Sequence, residues 1–213
     1  MTHHTAAYNA ARRLSLQVPK EKTREEKALE AATGVDPSDE IKRAAAPSER
    51  AISLYRAALE LAPESPDAHN NLGIELGKYA LTSIQLAQVA RKERRNDDAL
   101  FLDAATEART EEAVYQIDEA VRIVPHYGAA HFNMARVLVE LGDWRGADGE
   151  LALDALEAAM DNGYLDAGSV EKDPSLARLR DSLKLKKRFI AVLNDMSMRE
   201  EAALSSSQST RPF

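Results

Sequence analysis

Histidine side chains are the first residues here whose chemistry could serve catalysis or metal binding. The chain has 213 residues and five histidines but no cysteine, which excludes disulfides, thiol nucleophiles and thiolate metal sites. His69 and His131 stand at equivalent places in two similar segments, and imidazole is a common metal ligand. A zinc site needs three or four ligands, and no such set stands near either residue. We expect both histidines to serve packing. The alternative, a different class of function, is a helical metal-binding protein or an enzyme that uses these two histidines.

Enzyme motifs are missing from the sequence as well. It has no glycine-rich phosphate loop, no Gly-x-Ser-x-Gly elbow and no nucleotide fingerprint. Acidic residues are numerous, but on an alanine-rich helical chain most belong to solvated faces. We therefore predict a protein that is not an enzyme and that uses no cofactor and no metal.

Two basic clusters stand out from an acidic background. The chain carries 28 basic and 35 acidic residues, a net charge of −7, which argues against non-specific nucleic-acid binding. The first cluster comprises Arg91, Lys92, Arg94 and Arg95, and the second comprises Arg178, Arg180, Lys184, Lys186, Lys187 and Arg188. Cations at helix ends are favoured by the helix dipole, which is the simpler interpretation. The alternative is docking of an acidic partner or of lipid head groups.

The composition predicts an all-α protein. Alanine, leucine and glutamate dominate, while nine glycines, eight prolines and 5% aromatic residues leave few breakers of helices. Uncharged stretches are far shorter than the roughly 20 residues of a transmembrane helix. The first residues lack the basic start and apolar run of a signal peptide, so we expect a cytoplasmic protein, or a periplasmic one if a signal peptide is missing from this sequence.

The prolines divide the chain into candidate helices and domains. We expect helix boundaries at the prolines, Pro47 among them. An N-terminal helical extension is predicted at 1–46, with Tyr8, Ala11 and Leu14 on one side of a helix over 5–17. A repeat domain follows at 47–195, with a C-terminal capping segment at 165–195. Residues 196–213 are predicted to be a flexible tail.

An internal repeat is the most informative feature of the sequence. Two stretches share an alanine, a large residue four positions later, an alanine three later and a proline five after that. In the first stretch these are Ala51, Tyr55, Ala58 and Pro63, and in the second they are Ala113, Ile117, Ala120 and Pro125. Small residues let two helices approach closely, the large residue fills the space between them, and proline ends the helix.

This pattern resembles the tetratricopeptide repeat, a helical hairpin of about 34 residues. Leu72-Gly73 and Met134-Ala135 match the central pair of the family's first helix. A third repeat is also indicated. Its turn and the start of its second helix match Leu141 to Trp144 with Ala147, and Asp154 stands in that helix where the family has a small residue. The resemblance covers residues 47–160 and implies a short α-solenoid. The run that begins at Asp173-Pro174 resembles the family's C-terminal closing segment.

One hairpin is longer than the family pattern. About 28 extra residues separate Gly73 from Ala113, close to eight helical turns, so both helices keep their phase. We predict a long hairpin at about 66–124 that turns near Arg95-Asn96 and places the first basic cluster at its tip. This arm is expected to project about 20 Å beyond an ordinary repeat.

The resemblance implies a protein-binding groove lined by first helices. The corresponding positions are Asp67, Asn70, Asn71, Ile74 and Lys78 in one repeat and Phe132, Asn133, Arg136 and Glu140 in the next. We expect an accessible Phe132 beside Arg136. The predicted function is a non-enzymatic scaffold or adaptor for one or more partner proteins; the alternative is a dedicated structural or assembly subunit of a multiprotein complex.

Overall fold

The predicted all-α class is confirmed. The computed structural model describes residues 37–142, 147–164 and 166–209, which are helical and contain no strand. In chain order the elements are α1 Pro37–Leu61, α2 Pro66–Lys92, α3 Asn96–Ile123, α4 Gly128–Leu141, α5 Asp148–Asp161, α6 Ala167–Lys172, the 3₁₀ turn Pro174–Leu176, α7 Ala177–Asp181 and α8 Lys186–Ser209. The helix expected over 5–17 and the residue Trp144 lie outside the described residues. None of the helices in the described ranges combines the length and apolar character of a membrane span.

Helix α1 corrects the prediction that Pro47 ends a helix. Pro47 lies inside α1, which continues for 14 residues beyond it to Leu61. Proline removes one backbone hydrogen bond there, but α1 packs along α2 and this tertiary contact offsets the local loss. Ala45, on the N-terminal side of the proline, is buried. The predicted boundary between residues 46 and 47 therefore falls within a continuous helix.

Helices α2 and α3 cover the segment predicted to be a long hairpin. Arg91 near the end of α2 forms an ion pair with Asp103 near the start of α3. Further along, the Arg109 guanidinium lies 4.4 Å from the ring centroid of Tyr79. The first contact joins the end of α2 to the first part of α3, and the second joins the middles of the two helices, so the helices run antiparallel. Helix α1 also lies along α2 and reaches Tyr79 through Glu49, so α2 is packed by both of its neighbours in this part of the chain.

A left-handed turn ends α2. Arg94 has a φ of 60°, and the backbone N–H groups of Arg94 and Arg95 donate to the carbonyl oxygens of Arg91 and Ala90 at 3.1 and 2.8 Å. This pair of hydrogen bonds is the Schellman arrangement, which satisfies the last carbonyls of a helix. The turn lies at the predicted place and brings the chain directly into α3.

The small and large positions of the two repeats are all fully buried. They are Ala51, Tyr55 and Ala58 in α1 and Ala113, Ile117 and Ala120 in α3. Leu72 and Gly73 of α2 are also buried, as is Ala135 of α4. The spacing recognised in the sequence therefore identifies core positions in both segments.

Helix α5, the second helix of the third repeat, has a different register from the predicted one. Ala147 is exposed and precedes α5, and Asp154 is exposed as well. Ala152, Leu156 and Ala159 are instead fully buried and have the same four-and-three spacing as the earlier repeats. The connection between α4 and α5 is about five residues longer than the family pattern, and this shifts the register.

The C-terminal helices share one core with α4 and α5. Leu176 and Leu179 of the predicted capping run are fully buried there, together with Phe189 and Met196 of α8. Residues 196–209, the first part of the predicted tail, continue α8, with Met196 in the core and Arg199 paired with Asp161; residues 210–213 lie outside the described residues. The chain divides into two compact units at Gln116–Ile117, within α3.

Candidate functional site

The predicted groove positions on α2 divide into exposed and buried residues. Asp67 and Lys78 are exposed, and Asn71 and Ile74 are half-buried. Asn70 is buried and its amide donates to the side-chain oxygen of Asn71 at 3.3 Å. Lys78 donates to the buried carboxylate of Glu75 at 2.7 Å. Four of the five positions are thus accessible to a partner.

On α4 the prediction of an accessible Phe132 is wrong. Phe132 is only 7% exposed, belongs to the core shared with α5 and stacks on Tyr164 with ring centroids 4.5 Å apart. The nearby Arg136 donates to the Ser175 hydroxyl at 3.2 Å and forms an ion pair with Asp173 at 3.3 Å. Arg136 therefore holds the capping run against α4, and Phe132 holds Tyr164, which directly precedes the capping segment. Asn133 and Glu140 are half-buried and complete the predicted set.

Tyr164 was not recognised from the sequence. It occupies the place that proline holds after the second alanine of the two earlier repeats, five positions beyond Ala159. Burial raises the pKa of its hydroxyl. Aligning the third repeat on Ala152, Leu156 and Ala159 would have identified Tyr164 from the sequence.

His69 and His131 make the same contact in their two repeats. Nε2 of His69 donates to the Pro63 carbonyl at 2.7 Å, and Nε2 of His131 donates to the Pro125 carbonyl at 3.1 Å. A carbonyl oxygen can only accept, so Nε2 carries the hydrogen in both rings. Nδ1 of His69 lies 2.7 Å from the Gln116 amide. These contacts hold the turn before each first helix.

The described part of the chain contains no group of three or more side chains that could hold a metal ion. The other described histidine, His126, has its Nδ1 2.9 Å from the Asn162 amide oxygen. His3 and His4 lie outside the described residues.

Two of the four basic residues at the arm tip are used within the chain. Arg91 pairs with Asp103, and Arg95 pairs with Glu93 and Asp98, both at 2.7 Å. Hydrogen bonds to these two carboxylates raise the pKa of Arg95. Lys92 and Arg94 are exposed and take part in no ion pair with another described side chain. They are the cations of the tip that a partner could use.

An open trough lies between α1 and α3, with α2 as its floor. A cleft of roughly 640 Å³ is lined by Glu49, Ile52, Ser53 and Arg56 of α1, Leu76 and Tyr79 of α2, and Ala105, Ala108, Arg109 and Glu112 of α3. Nη2 of Arg56 donates to both carboxylate oxygens of Glu112 at 2.7 and 2.8 Å. Burial, with a hydrogen bond to Glu49, raises the pKa of Tyr79. None of the predicted groove residues lines this cleft.

A second depression follows along the same three helices. It measures roughly 230 Å³ and is lined by Lys42, Leu86, Arg95, Asp98, Phe101 and Leu102. Lys42 is seven residues from Glu49 on α1, and Leu86 is seven from Tyr79 on α2, so each helix presents the same face to both depressions. We call the two together the α1–α3 trough. Phe101 at its distal end is 75% exposed.

The second basic cluster also serves the fold. Arg188 on α8 donates to Glu150, Asp154 and Glu157, which follow one face of α5, at distances between 2.6 and 3.1 Å. The hydrogen bonds that Arg188 donates to Glu157 and Asp154 hold the pKa of its guanidinium well above the ordinary value. Arg178 and Arg180 donate to the carbonyl oxygens of Val139 and Glu171. Lys186 and Lys187 are exposed.

One known protein shows a distant similarity to this chain. The chain is 26% identical over 100 residues to the antiviral innate immune response effector IFIT1 of Homo sapiens. The match covers 47% of this chain and 20% of the human protein. IFIT1 contains tetratricopeptide repeats, so the similarity is compatible with the repeat pattern described above. No protein-family model matches the chain.

Proposed function

We propose that this chain is a non-enzymatic interaction protein of the tetratricopeptide type, a short α-solenoid in which first helices present a partner-binding face. The observation that carries the proposal is the repeated packing of the two segments. Each has a buried small-large-small set, and each has a histidine that donates to the carbonyl of the preceding proline. Repeated hairpins of this kind form extended surfaces that bind proteins. The partial similarity to a human tetratricopeptide protein supports the same proposal.

We take the accessible first-helix positions of each compact unit as a separate candidate binding patch. These are Asp67, Asn71, Ile74 and Lys78 on α2 and Asn133 and Glu140 on α4. Phe132 and Asn70 are left out because they are buried, and Arg136 because Asp173 and Ser175 engage it. The mixture of one aliphatic side chain, amides and both charges suits a polar peptide or protein surface.

Affinity capture with the tagged full chain tests this proposal. The variant Ile74→Ala with Asn133→Ala removes one contact from the patch of each unit, and Glu107→Ala with Glu111→Ala changes two exposed residues of α3 as a matched control. We expect the first variant to lose a partner that the parent and the control retain, while all three keep the same thermal midpoint. Equal capture by all three proteins would contradict the proposed patches.

The second candidate is a dedicated subunit of one larger complex. The exposed apolar side chains Leu100, Phe101 and Tyr115 along α3 favour it, because such residues are enriched where proteins associate. A single stoichiometric complex in the capture experiment would support a subunit, whereas several substoichiometric partners would support an adaptor. The cytoplasmic location and the absence of enzymatic activity, of a cofactor and of nucleic-acid binding belong to the proposal as well.

A further inference from the structure

Helix α3 exposes large apolar side chains on its outward side. The exposed fraction is 75% for Phe101, 66% for Leu100 and 57% for Tyr115. Ala104 and Ala108 stand between them in the sequence and are exposed as well. Single exposed apolar residues are normal on a protein, but five along about 22 Å of one helix are the kind of surface that binds another protein.

The spacing of these residues places them on one face of the helix. Phe101, Ala108 and Tyr115 are seven residues apart, and Ala104 follows Phe101 by three, which are positions a and d of a heptad. Ala113 of the same helix is fully buried on the opposite side. Because alanines between two aromatic residues let another helix approach closely, the face is shaped for a helix.

The ion pairs of α3 leave part of its negative charge unused. Residues 96–116 contain six acidic residues and a single basic one. The basic residue is Arg109, which is half-buried and lies over the Tyr79 ring. Three of the six carboxylates pair with arginines of the same compact unit: Asp98 with Arg95, Asp103 with Arg91, and Glu112 with Arg56.

The other three carboxylates lie on the outward side of α3. Asp97, Glu107 and Glu111 are exposed and form no ion pair with another described side chain. The helix dipole accounts for Asp97, which lies in the first turn, but not for the two glutamates near the middle of the helix. In α3, all of whose residues are described, the first exposed basic residue is Arg122, and the two exposed cations of the arm tip precede the helix. The apolar face is thus flanked by negative charge.

We propose that this outward face binds a basic amphipathic helix of a partner protein. The face, called here the α3 outer face, comprises Leu100, Phe101, Ala104, Glu107, Ala108, Glu111 and Tyr115. Apolar residues of the partner helix pack on the aromatic rings and the alanines, and its lysines or arginines pair with the two glutamates. Such flanking charges select the partner, and the net charge of −7 attracts a basic one at longer range.

The charge of the α3 outer face disfavours a symmetric pair of α3 helices. Such a pair would place the exposed carboxylates of one copy against those of the other, and like charges across an interface oppose binding. The partner is therefore a different protein. This inference rests on the proposed function as an interaction protein and names the chemistry of one partner, but it does not use the first-helix patches of α2 and α4.

Binding of a defined peptide to the full chain tests the proposal. The probe is a fluorescein-labelled synthetic helix of three heptads with leucine at positions a and d and lysine at e and g, and a scrambled peptide of the same composition lacks the amphipathic pattern. Fluorescence anisotropy measures the affinity of both peptides for the parent and for two variants of the face. These variants are Phe101→Ser with Tyr115→Ser, and Glu107→Gln with Glu111→Gln. Thermal unfolding checks that each variant remains folded.

The matched control is Glu171→Gln with Asp181→Asn, which removes two exposed carboxylates elsewhere and so changes the net charge equally. We expect both variants of the α3 outer face to bind the amphipathic peptide about tenfold more weakly than the parent and the control do. Added salt should weaken binding to the parent and have less effect on Glu107→Gln with Glu111→Gln, because the salt-sensitive ion pairs are already absent there. The scrambled peptide should bind weakly to all four proteins.

Several results would overturn the proposal. They are no binding of the amphipathic peptide to the parent, equal binding of the scrambled peptide, and an equal loss in the glutamine variant and the control. Dimerisation of the parent in sedimentation that Phe101→Ser with Tyr115→Ser abolishes would place a second copy on the face and would also overturn it. The variant Ile74→Ala with Asn133→Ala should bind the peptide as the parent does, so failure of the first-helix patches and failure of the α3 outer face are distinguished.

Discussion

Two helices of this protein end in the same left-handed turn with different residues at the critical position. Arg94 follows α2 with a φ of 60°, and Gly163 follows α5 with a φ of 85°. In both turns the next backbone N–H donates to a carbonyl oxygen five residues earlier, at 2.8 Å for Arg95 and 2.9 Å for Tyr164. A Cβ in the left-handed region costs about 1 kcal/mol, and glycine avoids this cost. The arm tip therefore carries local strain that the turn after α5 does not.

Arg94→Gly is expected to stabilise the tip, and Gly163→Ala to destabilise the C-terminal core. Arg94→Gly relieves the strain, but glycine also has a larger conformational entropy in the unfolded chain, which offsets part of the benefit. We expect the free energy of unfolding to rise by about 0.5 kcal/mol. Gly163→Ala should cost about 1 kcal/mol, although a Cβ there would meet nothing within 4 Å. Urea unfolding measures the overall changes, and amide exchange of residues 90–99 reports the tip. Faster exchange at the tip of Arg94→Gly would contradict the argument.

The buried alanines of the repeats give a second prediction at the residue scale. Ala120 is fully buried, and a larger side chain there must force helices apart at a cost of about 1–3 kcal/mol. Ala120→Leu should lower the thermal midpoint by roughly 2–4 °C for each kcal/mol. Ala104→Leu, at an exposed position of α3, is the matched control and should melt close to the parent. An unchanged midpoint for Ala120→Leu would show that the helices can adapt to the added volume.

At the scale of elements, the sequence predicted helices well where short-range packing decides them. The spacing of Ala113, Ile117 and Ala120 identifies a buried face because residues four and three positions apart lie on one side of a helix. Pro47 misled the prediction because the contact of α1 with α2 is a long-range effect that local propensity does not contain. The register of α5 was missed for a similar reason: only packing shows that Ala152, not Ala147, faces the core.

The candidate site was harder to predict than the fold. The position of a residue in the repeat predicts which face of the helix it lies on. It does not predict whether a later segment of the chain covers that face. Phe132 was placed in the groove by its repeat position, yet Tyr164 stacks on it and the capping run engages Arg136. The α1–α3 trough depends on three helices whose residues are far apart in sequence, so no local pattern indicates it.

The contact between α5 and α8 gives a prediction at this scale. Arg188 joins three carboxylates of α5, and its replacement by glutamine removes the charge while keeping much of the side chain's length. We expect Arg188→Gln to lower the free energy of unfolding by about 1 kcal/mol, since the ion pairs are partly exposed and screened by solvent. The difference from the parent should shrink at high salt. A difference that does not depend on salt would assign the effect to packing instead.

The same ion pairs predict a dependence on pH. Hydrogen bonds from Arg188 and Lys184 lower the pKa of Glu150. A carboxyl whose pKa is lower in the folded state stabilises the protein above its unfolded pKa, and this contribution is lost as the pH falls through the folded value. The parent should therefore lose stability below about pH 4.5, near the ordinary pKa of glutamate, more steeply than Arg188→Gln does. Urea unfolding between pH 3 and pH 7 compares the two, and parallel curves would contradict the assignment.

At the scale of the whole molecule, the distribution of charge decides which partners can bind, more than the net charge does. The net charge is −7, and much of the basic cluster near α8 is bound to carbonyl oxygens and to the carboxylates of α5. At the arm tip Arg91 and Arg95 are engaged in the same way, so the cations presented there are Lys92 and Arg94. A partner attracted to the tip would have to be acidic, and its association should weaken with added salt.

Neutralising these two cations tests whether the tip binds a partner. Arg94→Gly together with Lys92→Gln removes both charges without adding backbone strain, because glycine suits the left-handed turn at residue 94. The control, Lys186→Gln with Lys187→Gln, removes two exposed cations of α8 and so has the same change in net charge. If the tip docks an acidic partner, the tip variant alone should lose it in affinity capture from low-salt buffer. Capture reduced equally in both variants would indicate a general effect of net charge, and capture unchanged in both would leave the arm as a spacer.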